Sequence, residues 1–434
     1  MPLMCSLQNS HQRLLYYTKL LTTYVNQGQH HQALTLFSQM FASPDLNLDP
    51  FAFPLALKSS AALRESHAVA LIHAHTVKAG ILASPFVASA LVDSYGKCFS
   101  VAHARKMFDE LPQRNAVVWN AMISLYGHSH DIQRAMQLFE LMDVPPTASA
   151  YNSIIAALAE FEDGSSQAIE FYRRMQRSSV KPNLVTVLAV IPPCVGIGAI
   201  NLIKEIHGFA VRYCFHMHSH LGSALIEAYG RCGSLVNARQ IFDRMEVRDV
   251  VVWSSMVSAY AFHGCAEVAM SIFDQMRSDN VRPDGVMFLG VLKACSHAGR
   301  ADDALMYFDV LTKHYGVEAC SDHYSCLVDV LSRAGRLHDA YKIIQGMPMN
   351  ASAKAWGALL GACRKYREVG LAEIAGGVLF KIEPENAGNY VLLASIYSSV
   401  GKYEEAERVR REMEERGVMR LPGASWVISQ TPQS

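Results

Sequence analysis

A pattern that recurs about every 35 residues constrains the fold of this chain more than any other feature of its sequence. Its clearest copy, residues 250–284, reads VVVWSSMVSAYAFHGCAEVAMSIFDQMRSDNVRPD. Apolar residues recur there at i, i+3, i+4 and i+7 in two successive segments, which predicts two short amphipathic helices joined by a turn at His263-Gly264. One such hairpin cannot bury its apolar stripe alone, so consecutive copies must stack. The sequence therefore predicts an all-α fold, an α-solenoid of helix-turn-helix repeats.

The second helix of each copy carries the signature Ala-x-x-apolar-aromatic-x-x-Met/Leu, first at residues 33–40 and last in full at 304–311. This spacing predicts about ten hairpins, then a divergent extension and a short tail. Residues 1–13 precede the first hairpin, and no Asp or Glu stands before Asp45, which resembles the acid-poor start of an organelle-targeting segment. The predicted hairpins are 14–49, 50–84, 85–115, 116–147, 148–183, 184–218, 219–249, 250–284, 285–320 and 321–352, with the extension at 353–427 and the tail at 428–434.

Some hairpins are of a longer type. In units 50–84 and 184–218, His73 and His207 take the place of the aromatic residue of the second helix, and a short unit follows each. These histidines are expected to be packed and hydrogen-bonded. Pro192-Pro193 fall inside a predicted first helix and are expected to kink or shorten it.

The composition excludes some classes of function. The chain has 39 basic and 39 acidic residues, so bulk charge gives no reason to expect nucleic-acid binding, and such a role must come from one face. The longest uncharged run, 184–203, contains two prolines and stays in repeat register, which argues against a membrane span. No C-x-x-C occurs among the ten cysteines, so small buried thiols are expected.

Signatures of catalysis and of cofactor binding are missing from the sequence. Zinc-dependent nucleobase deamination needs H-x-E followed by P-C-x-x-C, and neither half is present. No phosphate loop, nucleophile triad or dinucleotide fingerprint occurs, so no cofactor is expected. His216, His218 and His220 could form a metal site, but a solvated loop is the preferred interpretation and no metal is expected. The chain is therefore not expected to be an enzyme.

Two positions in the other units carry small polar residues on what should be a shared face. The residue after the aromatic anchor of the first helix is here called the inner residue, and the last residue of the unit is called the closing residue. The closing residues alone could simply cap the next helix. Taken as pairs, the two positions favour base recognition. The pairs are Thr18/Asp49, Ser89/Asn115, Asn120/Thr147, Asn152/Asn183, Ser223/Asp249, Ser254/Asp284 and Ser325/Ser352.

The closing residues alternate between Asp and Asn, which supplies the two hydrogen-bond polarities that base discrimination needs. Uracil N3 and guanine N1 carry a hydrogen and suit a carboxylate, whereas cytosine N3 and adenine N1 are acceptors and suit an amide donor. Lys97, Arg231 and Arg333 share a register just after the first helix, where they are either phosphate contacts or solvated charges. Four valines lie three residues before the inner position and either wedge between bases or pack: Val117, Val185, Val251 and Val286.

Several segments resemble the pentatricopeptide repeat family: VVWNAMISLYG, NARQIFDRM, DALMYFDVL and the closures VKPN and VRPD. The alternation of long, short and standard units resembles the plant-type PLS subclass. WGALLGACRKY, PENAGNYVLLASIY and PGASW resemble the extension motifs that close such proteins. The resemblance covers nearly all of the chain after about residue 14. It implies that the fold is a right-handed α-solenoid. It also implies an organellar protein, mitochondrial or alternatively chloroplastic, that binds single-stranded RNA sequence-specifically and specifies C-to-U editing sites.

The resemblance also implies what each pair reads. The pairs similar to guanine readers are Thr18/Asp49, Ser223/Asp249 and Ser254/Asp284. Ser89/Asn115 resembles an adenine reader and Asn152/Asn183 a pyrimidine reader that favours cytosine. Asn120/Thr147 departs from the usual pairs, and Ser325/Ser352 is not matched to a base. The long units have Pro54, Leu188 and Leu289 at the inner position, with no polar group. The implied RNA is 5′-G-N-A-Y-Y-N-G-G-N-N-3′, ending roughly four nucleotides before the edited cytidine.

Because the deaminase signature is absent, the resemblance implies that a deaminase or another editing-complex protein binds in trans through the extension 353–427. Two alternatives stay open. One keeps RNA binding and assigns a role in transcript stability, splicing or translation. The other is a protein-binding helical scaffold, whose inner face would be apolar or charge-complementary instead of lined by small polar pairs. None of these interpretations involves a membrane.

Overall fold

The structure, a computed structural model, describes residues 10–43, 46, 48–111, 113–161, 163–215 and 218–419. Over these residues the secondary structure consists of 24 α-helices and a π-helical segment, Val310–His314, and contains no strand. The chain divides into two compact units, Met1–Tyr213 and Cys214–Ser434. The prediction of an all-α fold built from helical hairpins is confirmed.

The described part of the first compact unit contains α1 (Ser10–Asn26), α2 (His30–Phe41), α3 (Ala52–Leu63), α4 (Ser66–Lys78), α5 (Pro85–Cys98), α6 (Val101–Glu110), α7 (Ala116–His128), α8 (Ile132–Glu140), α9 (Ala148–Ala159), α10 (Ser165–Arg177), α11 (Leu184–Gly196) and α12 (Ile200–Arg212). Odd-numbered helices are the predicted first helices, and from α1 to α9 each packs on the next odd-numbered one. Each second helix from α2 to α10 contacts the first helices of its own unit and of the following unit.

The described part of the second compact unit contains α13 (Ser219–Arg231), α14 (Leu235–Arg244), α15 (Val250–Phe262), α16 (Ala266–Ser278), α17 (Gly285–Ala298), α18 (Ala301–Asp309), α19 (Ser321–Arg333), α20 (Leu337–Gln345), α21 (Ala353–Tyr366), α22 (Val369–Ile382), α23 (Ala387–Ser399) and α24 (Tyr403–Glu415). The first helices again stack in order, from α13 to α23. The extension therefore adds two further hairpins, α21–α22 and α23–α24, to the same stack.

The recurring aromatic residue of the second helix packs edge-on against the first helix of the next unit. Phe242 lies 4.8 Å from Trp253 between ring centroids, and Phe108 lies 4.9 Å from Trp119 at the equivalent place. All four side chains are buried. Such an edge-to-face pair contributes roughly 0.5–1.5 kcal/mol beyond its buried area. The signature found in the sequence is therefore a contact between neighbouring hairpins.

Glycines let successive first helices approach closely. A Cβ added at Gly230 of α13 would lie 2.6 Å from the Cβ of Ala259 in α15. One added at Gly127 of α7 would lie 2.9 Å from the Cβ of Ala157 in α9. Carbon atoms pack best at about 3.5–4.0 Å, so neither position has room for a methyl group. The glycine of the repeated Tyr-Gly dipeptide is therefore required by helix–helix spacing.

Two expectations about helix limits are corrected by the structure: that the prolines shorten a first helix, and that residues 10–13 precede the first hairpin. α11 includes both prolines and has 13 residues, as many as α15, so Pro192-Pro193 do not shorten it. Pro193 is buried, and its packing offsets the backbone hydrogen bonds that the prolines remove. α1 begins at Ser10, so residues 10–13 belong to the first helix. Residues 1–9 of the predicted leading segment, residues 420–427 of the extension and the tail 428–434 lie outside the described residues.

The expectation that His73 is packed and hydrogen-bonded is confirmed. Its Nδ1 lies 2.8 Å from the Tyr95 hydroxyl, and burial lowers the pKa of the imidazole although Glu110 acts in the opposite direction. None of the described helices combines the length and the apolar character that crossing a membrane requires.

Candidate RNA interface

The closing residues stand at the N-termini of the first helices that follow them. Asp249 and Asp284 are the N-caps of α15 and α17. One carboxylate oxygen of Asp249 accepts from the N–H of Val252 at 3.0 Å, and one of Asp284 accepts from the N–H of Met287 at 2.9 Å. These bonds satisfy N–H groups that a helix start leaves without an intrahelical partner. The second oxygen of each carboxylate accepts no hydrogen bond from the described residues.

Amide and hydroxyl closing residues act in the same way. Asn183 accepts from the N–H of Thr186 at 3.0 Å and donates its own N–H to the Thr186 hydroxyl, which closes a capping box. The capping interpretation is confirmed for Asn115, Thr147, Asn183, Asp249 and Asp284. Ser352 is the N-cap residue of α21 without a side-chain bond of this kind, and Asp49 accepts from the N–H of Phe51 just before α3.

Six of the seven inner residues are the fifth residue of their first helix, and Thr18 is the ninth residue of α1. Several of them are almost fully covered. Asn152, Ser223, Ser254 and Ser325 are 6–8% exposed. The hydroxyls of Ser223 and Ser254 each donate at 3.0 Å to a backbone carbonyl three residues earlier. A hydroxyl that donates to its own helix keeps its lone pairs as acceptors. These serines therefore keep lone pairs that can accept a hydrogen bond.

Three inner–closing pairs are in direct contact. Asn120 Nδ2 donates to Thr147 Oγ1 at 2.9 Å, and Asn152 Nδ2 donates to Asn183 Oδ1 at 3.2 Å. The hydroxyls of Ser325 and Ser352 are 3.0 Å apart. In the described structure, no side-chain hydrogen bond joins the remaining pairs, which are Thr18/Asp49, Ser89/Asn115, Ser223/Asp249 and Ser254/Asp284.

The capping bond fixes the orientation of the Asn152–Asn183 pair. Asn183 must present Oδ1 to the N–H of Thr186, because a backbone N–H can only donate. The same oxygen accepts from Asn152 Nδ2, so Asn152 Oδ1 is turned away, and it is buried without a partner in the described structure. Asn183 Nδ2 is then the free donor of an exposed side chain. Asn120 Oδ1 is likewise buried and unpartnered beside Thr147.

A cavity of 350 Å³ opens beside this amide pair, between α7, α9 and α11. Asn152 and Asn183 line it together with Ser124, His128 and Val185. Its wall thus combines amide, hydroxyl and imidazole groups and the carboxylate of Glu160 with apolar side chains. A few placed polar groups in a mostly apolar hollow are typical of sites that hold a small planar ligand such as a nucleobase.

The position three residues before the inner residue, here called the flanking position, is apolar and exposed. The valines predicted there are 43–60% exposed, each at the second residue of its helix: Val117, Val185, Val251 and Val286. They are therefore not part of the core. Leu15, Phe51 and Phe86 occupy the same register and are 51–60% exposed. These three were not predicted, although the three-residue spacing identifies them.

The predicted phosphate contacts are exposed cations at the C-terminal ends of α5, α13 and α19. Each forms an ion pair with a carboxylate four residues earlier: Lys97 with Asp93 at 2.8 Å, Arg231 with Glu227 at 3.7 Å and Arg333 with Asp329 at 3.0 Å. Exposed pairs of this spacing contribute only about 0.3–0.5 kcal/mol, so a phosphate could displace the carboxylate. The paired cations, however, bring no net positive charge.

The histidines near the start of α13 and the buried cysteines are the remaining candidates for metal binding or nucleophilic chemistry. His216 lies outside the described residues, His218 is the N-cap residue of α13, and His220 lies in the first turn of that helix. Over the part of the chain that the structure describes, no group of three or more His, Cys, Asp or Glu residues is arranged to hold a metal ion. Burial raises the pKa of Cys295 and Cys363 to about 11, so both are protonated thiols near neutral pH.

Parts of the chain match known family patterns. Residues 117–144, 223–250, 251–281 and 322–350 match the family described as PPR repeat, and residues 271–331 match the pentatricopeptide repeat domain. Residues 366–428 match the E motif. This last match falls almost wholly within the predicted extension, and it is the kind of motif that the resemblance to the PLS subclass implied.

Proteins of similar sequence are found in Arabidopsis thaliana. The chain is 57% identical over 416 residues to the pentatricopeptide repeat-containing protein At1g03510, and the match covers 96% of this chain and 97% of that protein. It is 33% identical to At3g11460, which is named mitochondrial, and 31% identical to At3g63370, which is named chloroplastic. These matches cover 92% and 95% of this chain, which spans 75% and 40% of the length of those relatives.

The fold is similar to that of PPR10, a pentatricopeptide repeat protein from maize. Its structure in complex with an 18-nucleotide psaJ RNA element gives a TM-score of 0.75 at 18% identity. The match covers 93% of this chain and 61% of PPR10. At this level of identity the likeness concerns the fold alone.

Proposed function

Because the chain belongs to the pentatricopeptide repeat family, we propose that it binds single-stranded RNA and discriminates bases with its inner and closing residues. One observation carries this proposal: in four of the seven units that have a small polar inner residue, the closing residue caps the next helix with one side-chain atom and keeps a second polar atom free. These closing residues are Asn115, Asn183, Asp249 and Asp284. Asp284 closes the unit of Ser254, and Asn183 closes the unit of Asn152. The RNA bound to PPR10, which has the same fold, supports the choice of ligand.

The cap bond and the proposed base contact use different atoms of the same side chain. In Asp284, one oxygen accepts from Met287 and the other remains an acceptor, which suits guanine N1–H or uracil N3–H. In Asn183, the cap holds Oδ1 and leaves Nδ2 as a donor, which suits cytosine N3 or adenine N1. Because the cap fixes the rotamer before RNA arrives, less side-chain entropy is lost on binding.

The flanking residues complete the proposed nucleotide site. Exposed Val251 and Val286 lie three residues before the inner positions of consecutive units, so their side chains can contact the faces of a base whose edge meets the closing residue. Phe51 and Phe86 hold the same register and offer aromatic faces, on which bases stack regardless of sequence. Because the valines are exposed and have no role in the core, insertion between successive bases is the better of the two interpretations.

We further propose that the protein acts in an organelle, the mitochondrion or alternatively the chloroplast, as a specificity factor for C-to-U RNA editing. Support comes from the E-motif match at residues 366–428 and from relatives named mitochondrial and chloroplastic. The extension, α21–α24, is then the surface that binds a deaminase or another editing protein in trans. The chain itself supplies recognition and no chemistry.

The central test replaces Asp284. Asn caps a helix about as well as Asp, so Asp284→Asn keeps the start of α17 while it changes the free group from an acceptor to a donor. We expect the preference at one nucleotide to shift from guanine toward adenine by about 1–3 kcal/mol, roughly 5- to 150-fold in relative affinity. The measurement is binding to 5′-G-N-A-Y-Y-N-G-G-N-N-3′ and to RNAs that differ from it at single positions.

The matched control is Asp131, which caps the second helix α8 by accepting from Arg134 N–H at 3.2 Å. Asp131→Asn makes the same substitution in a cap outside the inner and closing positions, where it also removes the ion pair with Arg134 at 3.0 Å, and it should leave every base preference unaltered. If Asp284→Asn weakens binding equally on all RNAs, the residue does not read a base. If the wild-type protein binds none of these RNAs, the proposed function is wrong.

The editing role has a separate test. Loss of the protein in its source organism should leave one or a few organellar cytidines unedited, which transcriptome-wide sequencing of RNA against DNA detects. Normal editing together with a changed transcript level or splicing pattern would reject editing and favour a role in stability, splicing or translation. Restoring the full chain, but not a chain that ends before Ala353, should recover editing if α21–α24 recruit the catalyst.

A further inference from the structure

In two long units, a lysine follows the apolar inner residue by one turn of the first helix. Pro54 and Leu289 occupy the inner position, and Lys58 and Lys293 come four residues later. Residues four apart lie on the same face of a helix, so each lysine shares the face of its inner residue. Both lysines are exposed.

These lysines differ in their charge environment from the phosphate contacts predicted at the ends of the first helices. Lys58 and Lys293 form no ion pair with any described carboxylate, whereas Lys97 and Arg333, in the units that follow them, are each paired within their own helix. An ion pair is close to neutral and attracts a phosphate weakly. An unpaired ammonium group releases a counterion from the nucleic acid when it meets a phosphate, and this release drives binding.

The acids closest in register do not cancel the charge of the long-unit lysines. One unit after Lys293, Asp329 pairs with Arg333 at 3.0 Å and also accepts a hydrogen bond from the Ser296 hydroxyl. One unit after Lys58, Asp93 pairs with Lys97 at 2.8 Å. Each acid is therefore neutralised locally, and a net positive charge remains at each long-unit lysine.

Lys293 also borders a space that an anion can enter. It lines a cavity of 260 Å³ between α17, α19 and α21, together with the inner residue Ser325, Lys354 and the two carboxylates of Asp322 and Asp329, each of which is paired with another cation. Lys354 lies 3.3 Å from Asp322, so its charge is compensated and that of Lys293 is not. The flexible stem and three N–H donors of a lysine suit a phosphate that has to be held without fixed geometry.

We propose that Lys58 and Lys293 bind phosphates of the RNA backbone, so that their long units hold the strand without reading a base. This inference rests on the proposed function, because a phosphate reaches these lysines only if RNA follows the face of the inner residues. It assigns a role to units whose inner residues, Pro54 and Leu289, offer no hydrogen-bonding group. A phosphate contact carries no sequence information, so the nucleotides at these units are free to vary.

The third long unit offers an internal contrast. Its inner residue is Leu188, and Pro192 stands four residues later, where the other two long units have lysine. Proline has neither charge nor a donor, so unit 184–218 is expected to make no such contact. Pro192 is exposed and lies within α11, so Pro192→Lys installs the missing ammonium group on an existing helix.

The test measures RNA affinity as a function of salt concentration. For single strands, log K falls with log salt by about 0.7 for each phosphate neutralised. Lys58→Gln and Lys293→Gln should each flatten this slope by about 0.7 and weaken binding about fourfold near 0.15 M salt. The loss should be equal on 5′-G-N-A-Y-Y-N-G-G-N-N-3′ and on a scrambled RNA of the same length. Pro192→Lys should steepen the slope by a similar amount.

The control is Lys106→Gln, which removes one positive charge from the second helix α6, where Lys106 pairs with Glu110 at 4.0 Å. It should leave the slope unchanged. If both long-unit variants keep the wild-type slope, or if their losses depend on RNA sequence, the phosphate assignment is wrong although RNA binding stands. If the wild-type protein binds neither RNA, the proposed function itself has failed.

Discussion

Replacing Gly230 by alanine should force apart two first helices that the fold holds in close contact. The added Cβ would lie 2.6 Å from the Cβ and 3.3 Å from the Cα of Ala259. Carbon atoms pack best at about 3.5–4.0 Å, so α13 and α15 would have to separate by about 1 Å. Overpacking of this kind costs about 1–3 kcal/mol of the free energy of unfolding.

Helix propensity acts in the opposite direction, because alanine stabilises a helix more than glycine does. The net change in the free energy of unfolding is the difference between the two effects. Alanine is favoured over glycine inside a helix by about 0.8–1 kcal/mol. Gly230→Ala should therefore lower the free energy of unfolding by a net of about 0–2 kcal/mol. Gly361 in α21 is the matched control, because a Cβ there meets nothing within 4 Å. Gly361→Ala should therefore stabilise the chain. The free energies of unfolding of the two variants should differ by about 1–3 kcal/mol.

The assay is hydrogen exchange of the α13 and α15 amides together with the urea midpoint, since a repeat array can open locally without unfolding as a whole. The double variant Gly230→Ala/Ala259→Gly moves the methyl group to the other helix and should recover most of the loss. Equal stability of Gly230→Ala and Gly361→Ala would refute the steric explanation. So would a double variant that recovers nothing.

Two further predictions compare side chains of the same type in different surroundings: the stability lost on replacing two equivalent tryptophans, and the alkylation rates of two cysteines. Trp119 Nε1 donates to Asp143 at 2.9 Å, whereas the equivalent Trp253 Nε1 is buried without a partner in the described structure. Trp119→Phe should therefore lower the free energy of unfolding by about 1 kcal/mol more than Trp253→Phe, and equal losses in urea melts would contradict this. Because burial raises the pKa of Cys295 to about 11, this thiol should alkylate far more slowly near pH 8 than exposed Cys320, as mass spectrometry of labelled peptides would show. Fast labelling of Cys295 in the native protein would contradict the burial.

The fold could be predicted from periodicity because each hairpin encodes its buried face locally. Trp253, Met256 and Val257 follow the i, i+3, i+4 spacing, and none is more than 2% exposed. Stacking similar hairpins then leaves few other topologies. The path of α11 through Pro192-Pro193 was not predictable, since packing by neighbouring helices outweighs a local rule there.

The position of a residue within the repeat was enough to predict the inner and closing pairs. It could not predict which of these pairs form hydrogen bonds. Asn152 is long enough to reach Asn183, whereas the shorter Ser254 turns to the carbonyl of Val251 in its own helix. That choice depends on side-chain length and rotamer, which spacing does not contain. The ion pair of Lys97, by contrast, was readable from the sequence, because Asp93 stands four residues earlier on the same helix.

At the closing position, helix capping and the proposed base recognition reinforce each other. A good N-cap is Ser, Thr, Asp, Asn or Gly, and among these Asp and Asn have nearly the same shape but opposite hydrogen-bond polarity at the atom that the cap leaves free. Asp284 and Asn183 each give one oxygen to the cap and differ in the atom that remains. An Asp/Asn exchange can therefore invert a base preference without disturbing the helix or its stacking. A closing residue that cannot cap, such as Val, would lose the helix start together with the specificity.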